Sequence, residues 1–204
     1  MRKMTIILFL MLGWQATPIW AQWTIEQLSE PRRAVASFTH DGKAFFVGGA
    51  DDFAGSQVID VYDSVTGEWS VEEAPVSALG WEVLDAGDYV VLINGSGTVS
   101  GTIMIYDKAA GEWSVASRPE NLINGSVAAL NNKLYIAGGR INSENTTLVQ
   151  LLDLRTDQWT TAALSVARQN PSVAYHGDKV YFLGGYTNIG LNQLSAAASS
   201  NGCA

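Results

Sequence analysis

His40 and His176 are the only imidazoles among the 204 residues, and Cys203 is the only thiol. An imidazole is the side chain best suited to proton transfer near neutral pH, so these two are the first candidates for general acid or base work. They lie 136 residues apart in matching contexts, HDGK (40–43) and HGDK (176–179). Matching contexts at that distance mark equivalent turns of different structural units, and equivalent turns do not converge on one substrate. Both histidines are therefore expected to be structural. A single thiol excludes an internal disulfide framework and a cysteine-rich zinc site, and two histidines do not build a histidine-rich metal centre. Carboxylates are abundant, with 20 Asp and Glu against 12 Lys and Arg for a net charge of −8, yet nothing singles out a catalytic pair. That balance disfavours nucleic acid or an anionic membrane as partner, because counterion release needs a basic face. No catalytic residue, metal or cofactor is assigned from these residues.

The elements that would position any site follow from an internal repeat, which has to be sought before any strand or helix is assigned. Tryptophans recur at Trp23, Trp69, Trp113 and Trp159, spaced 46, 44 and 46, each followed by Ser or Thr. A second series keeps the same phase: Gly48-Gly49, Asn94-Gly95, Gly138-Gly139 and Gly184-Gly185 each close an apolar run (AFFVGG, VVLING, LYIAGG, VYFLGG). A third leads into the tryptophans, as VYDSVTGEW (61–69), IYDKAAGEW (105–113) and LLDLRTDQW (151–159). Between these marks lie short runs of Val, Ile, Tyr and Phe parted by Gly, Asn, Asp and Ser, which is strand chemistry. No segment after residue 22 carries sustained helical periodicity, so an all-β chain with four strands per unit is expected. In the first unit strand a falls near 34–38, b at 44–47, c at 57–62, and d begins at Trp69. The unit boundaries read 31–75, 76–119, 120–165 and 166–194, with 195–204 as a divergent tail.

The Gly pair after strand b, the Tyr-Asp ending strand c and the Trp six residues later resemble the kelch repeat family of β-propellers, over roughly residues 23–194. The resemblance implies blades that stack radially, because a four-stranded sheet with two apolar faces buries neither alone. On that reading Trp69, Trp113 and Trp159 fill seams between blades, and Asp63, Asp107 and Asp153 bond turn amides. Kelch-like architecture also includes copper radical oxidases resembling galactose oxidase; Cys203 lies outside any repeat, and the two histidines are misplaced for that chemistry. A sialic acid mutarotase is another kelch-like secreted enzyme, and it needs only an acid/base pair beside a sugar ring.

Propellers usually bind through the face formed by the b–c and d–a loops. The b–c loops are 50–56 (with Asp51 and Asp52), 96–101, 140–147 (with Arg140 and Asn142) and 186–191 (with Tyr186). The d–a connections supply Arg32, Arg33, Trp81, Arg118, Asn121, Arg168 and Asn170. Arg32 and Arg168 are again 136 apart, and an arginine there either caps its own loop or grasps an acidic group on a partner. Trp81 belongs to none of the three series; it is either a core residue or a ring for stacking on a sugar or peptide. Asn94, Asn124 and Asn145 each begin an Asn-x-Ser/Thr triplet, relevant only where secreted proteins are glycosylated.

Arg2 and Lys3 precede the apolar run TIILFLML (5–12) and a mixed stretch to Ala21, the order of a secretory signal peptide with cleavage expected after Ala21. The run is well short of the ~20 residues that span a bilayer, so stable membrane insertion is not expected. The expected place of action is outside the cell or in the periplasm. The residues that remain cover about four periods, and the next repeat Trp falls due one residue past Ala204. Two accounts fit: a four-bladed ring with a degenerate last strand, in which Trp23 supplies a closing strand, or the first part of a longer gene, which is the favoured expectation. The favoured account leaves an open, under-closed propeller with an exposed edge prone to self-association or instability. The function expected is a non-catalytic module presenting its loops to a protein or glycan; the alternatives are a mutarotase-like carbohydrate enzyme and a structural fragment of a cell-surface protein.

Overall fold

The structure, a computed structural model, describes residues 25–51, 54–93, 101–187 and 197–199. Among them there is no helix. Unit 1 comprises β1 (Ala36–His40), β2 (Lys43–Val47), β3 (Ala50–Asp51), β4 (Ala54–Asp63) and β5 (Glu68–Ala78). Unit 2 comprises β6 (Glu82–Asp85), β7 (Tyr89–Ile93), β8 (Thr102–Asp107) and β9 (Glu112–Ser117). Unit 3 comprises β10 (Ser126–Leu130), β11 (Lys133–Ala137), β12 (Arg140–Ile141), β13 (Glu144–Asn145), β14 (Leu148–Asp153) and β15 (Gln158–Ala163). Unit 4 comprises β16 (Ser172–His176), β17 (Lys179–Leu183) and β18 (Ala197–Ser199).

Units 1 to 3 are antiparallel blades of four strands in the order a-b-c-d, with β3 pairing back onto β4, and β12 and β13 forming a small hairpin in the third b–c loop. β5 continues past the expected boundary at 75 to Ala78, and the pairing of β4 with β5 shifts register between Ser56 and Val58. In unit 4, β18 takes the third-strand place against β17, inside the stretch that reads from sequence as a divergent tail. Trp23, the expected closing strand, lies outside the described residues, as do Asn94 and Cys203.

The repeat is built by local chemistry. Asp63 accepts the amides of Val65 and Thr66, Asp107 those of Ala109 and Ala110, and Asp153 that of Arg155, so the c–d turn is an Asx turn in each complete unit. At Gly48 φ is +62°, and a Cβ there would sit 2.5 Å from the Ala78 carbonyl oxygen; Gly138 repeats both features against Arg168. Only glycine lets the end of strand b approach the following d–a connection this closely.

Blades share cores across their seams. Phe45, Val47, Ile59 and Val61 of unit 1 pack with Val90, Leu92, Met104 and Tyr106 of unit 2. Val91, Ile93, Ile103 and Ile105 of unit 2 pack with Leu134, Ile136 and Leu152 of unit 3, and Tyr135 and Val149 of unit 3 with Val180 and Phe182 of unit 4. Trp113 and Trp159 border the first and second of these seams as expected, with Trp113 edge-on to Phe38 of the preceding blade at 5.9 Å. Trp69 instead tilts against Phe46 and Tyr62 of its own sheet, 5.7 and 5.1 Å away.

Polar staples cross the same seams. His40 Nε2 bonds the Lys108 carbonyl at 3.0 Å, and Asp88 of unit 2 accepts from Asn132 (2.6 Å) and Arg155 (2.9 Å) of unit 3. The Arg155 guanidinium and the Asn132 amide hold the Asp88 carboxyl below its ordinary value. A carboxylate depressed in the folded state adds stability above its unfolded pKa of about 3.9 that is lost as pH falls through the folded value. The urea midpoint should therefore drop as pH is lowered below about 4, and Asp88→Asn should flatten that dependence.

One buried charge pair has an internal control. Arg32, its side chain wholly buried, donates to the carbonyls of Gly48 (2.7 Å) and Val58 (2.6 Å) and pairs with Asp60, which also accepts the Ser29 amide. In unit 3 the equivalent places hold Leu122 and Gln150, both buried, and Gln150 bonds the Glu120 backbone. Asp60→Ala strands a buried guanidinium and should cost about 3–5 kcal/mol. The pair Arg32→Leu/Asp60→Gln, copying unit 3, should recover most of that loss in urea unfolding.

Candidate functional site

The first strands of successive units stand side by side: β1 abuts β6, β6 abuts β10, and β10 abuts β16. Their opening residues occupy one register, Ala36, Glu82, Ser126 and Ser172, opposite Val47, Ile93, Ala137 and Leu183. The preceding residues are Val35, Trp81, Gly125 and Pro171. Trp81 therefore has a place in the repeat after all, one that other units fill with smaller residues.

At this end of the strands Gly80, Trp81, Glu82, Gly125, Ser126, Val127 and Val173 line an open cavity of about 360 Å³. It lies on the face of the b–c and d–a loops, where β6, β10 and β16 begin. Trp81 is half-buried, packed against the core shared by units 1 and 2 while it lines the cavity. Gly125 brings no side chain to the space, and a Cβ there would press to 3.2 Å from the Gly138 oxygen. Ser126 donates its hydroxyl proton to the Pro171 carbonyl at 2.5 Å, which ties units 3 and 4 at the cavity wall and leaves the hydroxyl oxygen as an acceptor.

Glu82 is the one carboxylate among the described residues lining this cavity. Glu82 is solvent-exposed; it has no hydrogen bond or ion pair among the described residues, and the partial desolvation it does suffer pushes its carboxyl above the ordinary value. The strand-start position reads Ala, Glu, Ser, Ser across the units, so a lone carboxylate in an aligned column was the available signal. The aromatic, glycine and aspartate series drew attention elsewhere, and sequence reasoning passed over it.

The residues expected at the site scatter. Arg32 and Arg168 are corrected: each guanidinium is buried on carbonyls of its own loop, Arg168 donating to Gly184 (2.6 Å) and Val166 (3.1 Å), so neither grasps a partner. Desolvating an arginine is tolerable because several carbonyls replace its water, and the same loop closure is solved twice. Arg33 pairs its backbone with Ala50 at the rim, and exposed Asp51 ends β3. Asp52 lies outside the described residues. Arg140 folds back onto the Ser143 carbonyl (3.1 Å), with Asn142 in the left-handed turn between them (φ 50°). Arg118 is half-buried where its amide meets the Gly101 carbonyl, and burial lowers its pKa without discharging it. Tyr186, 44% exposed, joins an amide network: its hydroxyl donates to Gln169 (3.2 Å), which in turn meets Asn124 and Asn145. Of the expected residues, only Trp81 lines the cavity.

The histidines do not converge. His40 is spent on Lys108, and His176 is exposed at the corresponding turn of unit 4. Among the described residues no cluster of three His, Cys, Asp or Glu is arranged to hold a metal. Among the described residues the cavity thus offers one carboxylate, one hydroxyl oxygen and an indole, with no second carboxylate or arginine in its lining.

A group with a raised folded pKa contributes fully below its unfolded pKa, and that contribution fades as pH rises through the folded value. Glu82→Gln should therefore be at least as stable as the parent at pH 7 in thermal unfolding. A clear fall in midpoint would instead mark Glu82 as a structural acceptor.

Residues 123–163 match the family model of the Kelch motif, a span that runs from the bridge at Ile123 to the end of β15. No curated protein sequence matches the chain. The solved structure of YjhT superposes with a TM-score of 0.51 at 18% identity, over 76% of this chain and 59% of YjhT. The chain thus spans less than two thirds of that neighbour's length, and at this identity the likeness is one of fold. Unit 3 carries a Kelch motif, and the repeated four-stranded sheets that share cores around it are the blades of a kelch-type β-propeller.

Proposed function

We propose that this chain is a secreted, non-catalytic binding module that presents its loop face to a protein or glycan partner. The observation that carries this reading is the cavity where β6, β10 and β16 begin: a half-buried Trp81 and a partnerless Glu82 in the one unit that breaks the repeat at both positions. A repeat scaffold keeps its structural positions alike, so departures that build a polar, concave spot are where function accumulates. Secretion rests on the charged, apolar and cleavable order of 1–21, with cleavage after Ala21.

A carbohydrate-acting enzyme resembling a sialic acid mutarotase is the second reading, favoured by one observation. A carboxyl lifted by partial desolvation moves toward the range in which it both gives and takes a proton. Anomer exchange of N-acetylneuraminic acid, followed by NMR with and without the purified chain, separates the two. The binding reading expects no acceleration, alongside saturable binding in a glycan array or capture of a protein partner. Acceleration that disappears in Glu82→Gln would install the enzyme in its place.

A further inference from the structure

The charges of the loop face are unevenly spent. Arg32, Arg140 and Arg168 are folded onto the protein's own carbonyls, and Arg33 and Arg118 are each engaged by other groups. No cation among the described residues answers Glu82. The polar side-chain atoms around it add to this bias. Glu82 when ionised presents acceptors and Ser126 has committed its proton to Pro171, while the Trp81 indole brings a π surface along with its one N–H donor. Such a lining asks for a ligand with N–H donors and positive charge.

We propose that this cavity takes the lysine or arginine side chain of a peptide or protein partner, with Glu82 as its counter-ion and Trp81 as the wall it lies against. The inference rests on the binding-module reading and names its ligand chemistry. A lysine or arginine has an apolar stem behind its charged head, and Val127 and Val173 supply matching apolar wall. The volume of about 360 Å³ is enough to take one long side chain. An acidic chain of net charge −8 also favours the approach of a basic partner from a distance.

The probes are N-acetyl-lysinamide and N-acetyl-argininamide, with N-acetyl-norleucinamide as the uncharged control and galactose as a neutral sugar. They are titrated into the full chain while the Trp81 indole N–H and the Glu82 amide are followed by NMR. Both cationic probes should shift these signals saturably, norleucinamide should not, and added salt should weaken the effect. Glu82→Gln and Trp81→Leu should each weaken cation binding by about tenfold, with Glu82→Asp retaining part of it. Norleucinamide binding equal to that of the cations would overturn the assignment, as would undiminished cation binding in folded Glu82→Gln. Galactose shifting these signals while the cations leave them unmoved would overturn the ligand class and leave the binding module standing. Silence from every probe at this cavity, with a glycan or protein partner captured elsewhere on the chain, would overturn the site and spare the module.

Discussion

A four-stranded sheet in this chain has two apolar faces, and neither can be dried except against another blade. Ile59 and Val61 on β4 and Val90 and Leu92 on β7 are buried only because units 1 and 2 lie face to face. The same holds at the next two seams, and the three cores together contain nearly all of the deeply buried aliphatic side chains. At roughly 25 cal/mol per Å² of apolar surface removed from water, these seams dominate the favourable side of folding. Everything else in the architecture serves to hold successive blades at that spacing.

The polar devices are placed where the seams and loops need them. Asx turns fix the c–d hairpins, glycines at the end of strand b admit the neighbouring backbone, and His40, Asp88 and Asn132 stitch adjacent units across the turns. The repeat also shows that one structural problem has unlike solutions. Unit 1 closes its loop with a buried Arg32–Asp60 pair, while unit 3 uses Leu122 with Gln150. Both units bury a polar side chain in that place with backbone carbonyls or amides as partners, charged in unit 1 and neutral in unit 3.

The repeat is broken at one place without an evident structural return. Trp81 and Glu82 replace smaller or neutral residues of the other units, and they do so side by side at the start of one inner strand. The tryptophan is partly recovered as packing against the first seam. The carboxylate stays exposed, and no described cation pairs with it.

Much of this was readable from residue order alone. The three coincident series determined the blade count among the described residues, the strand order, the aspartate turns and the structural fate of His40, since periodicity dictates which positions are equivalent and equivalence excludes convergence. Two matters were decided only in three dimensions. Whether Arg32 and Arg168 faced a partner or their own loops depended on which carbonyls lay within reach, a distance no spacing encodes. That Trp81 and Glu82 share a cavity with Ser126 and Val173, residues 44 and more positions away, depended on neighbouring blades bringing their first strands together. Sequence period sets what each blade is; radial packing sets which residues of different blades meet, because only the shared apolar seams fix their separation.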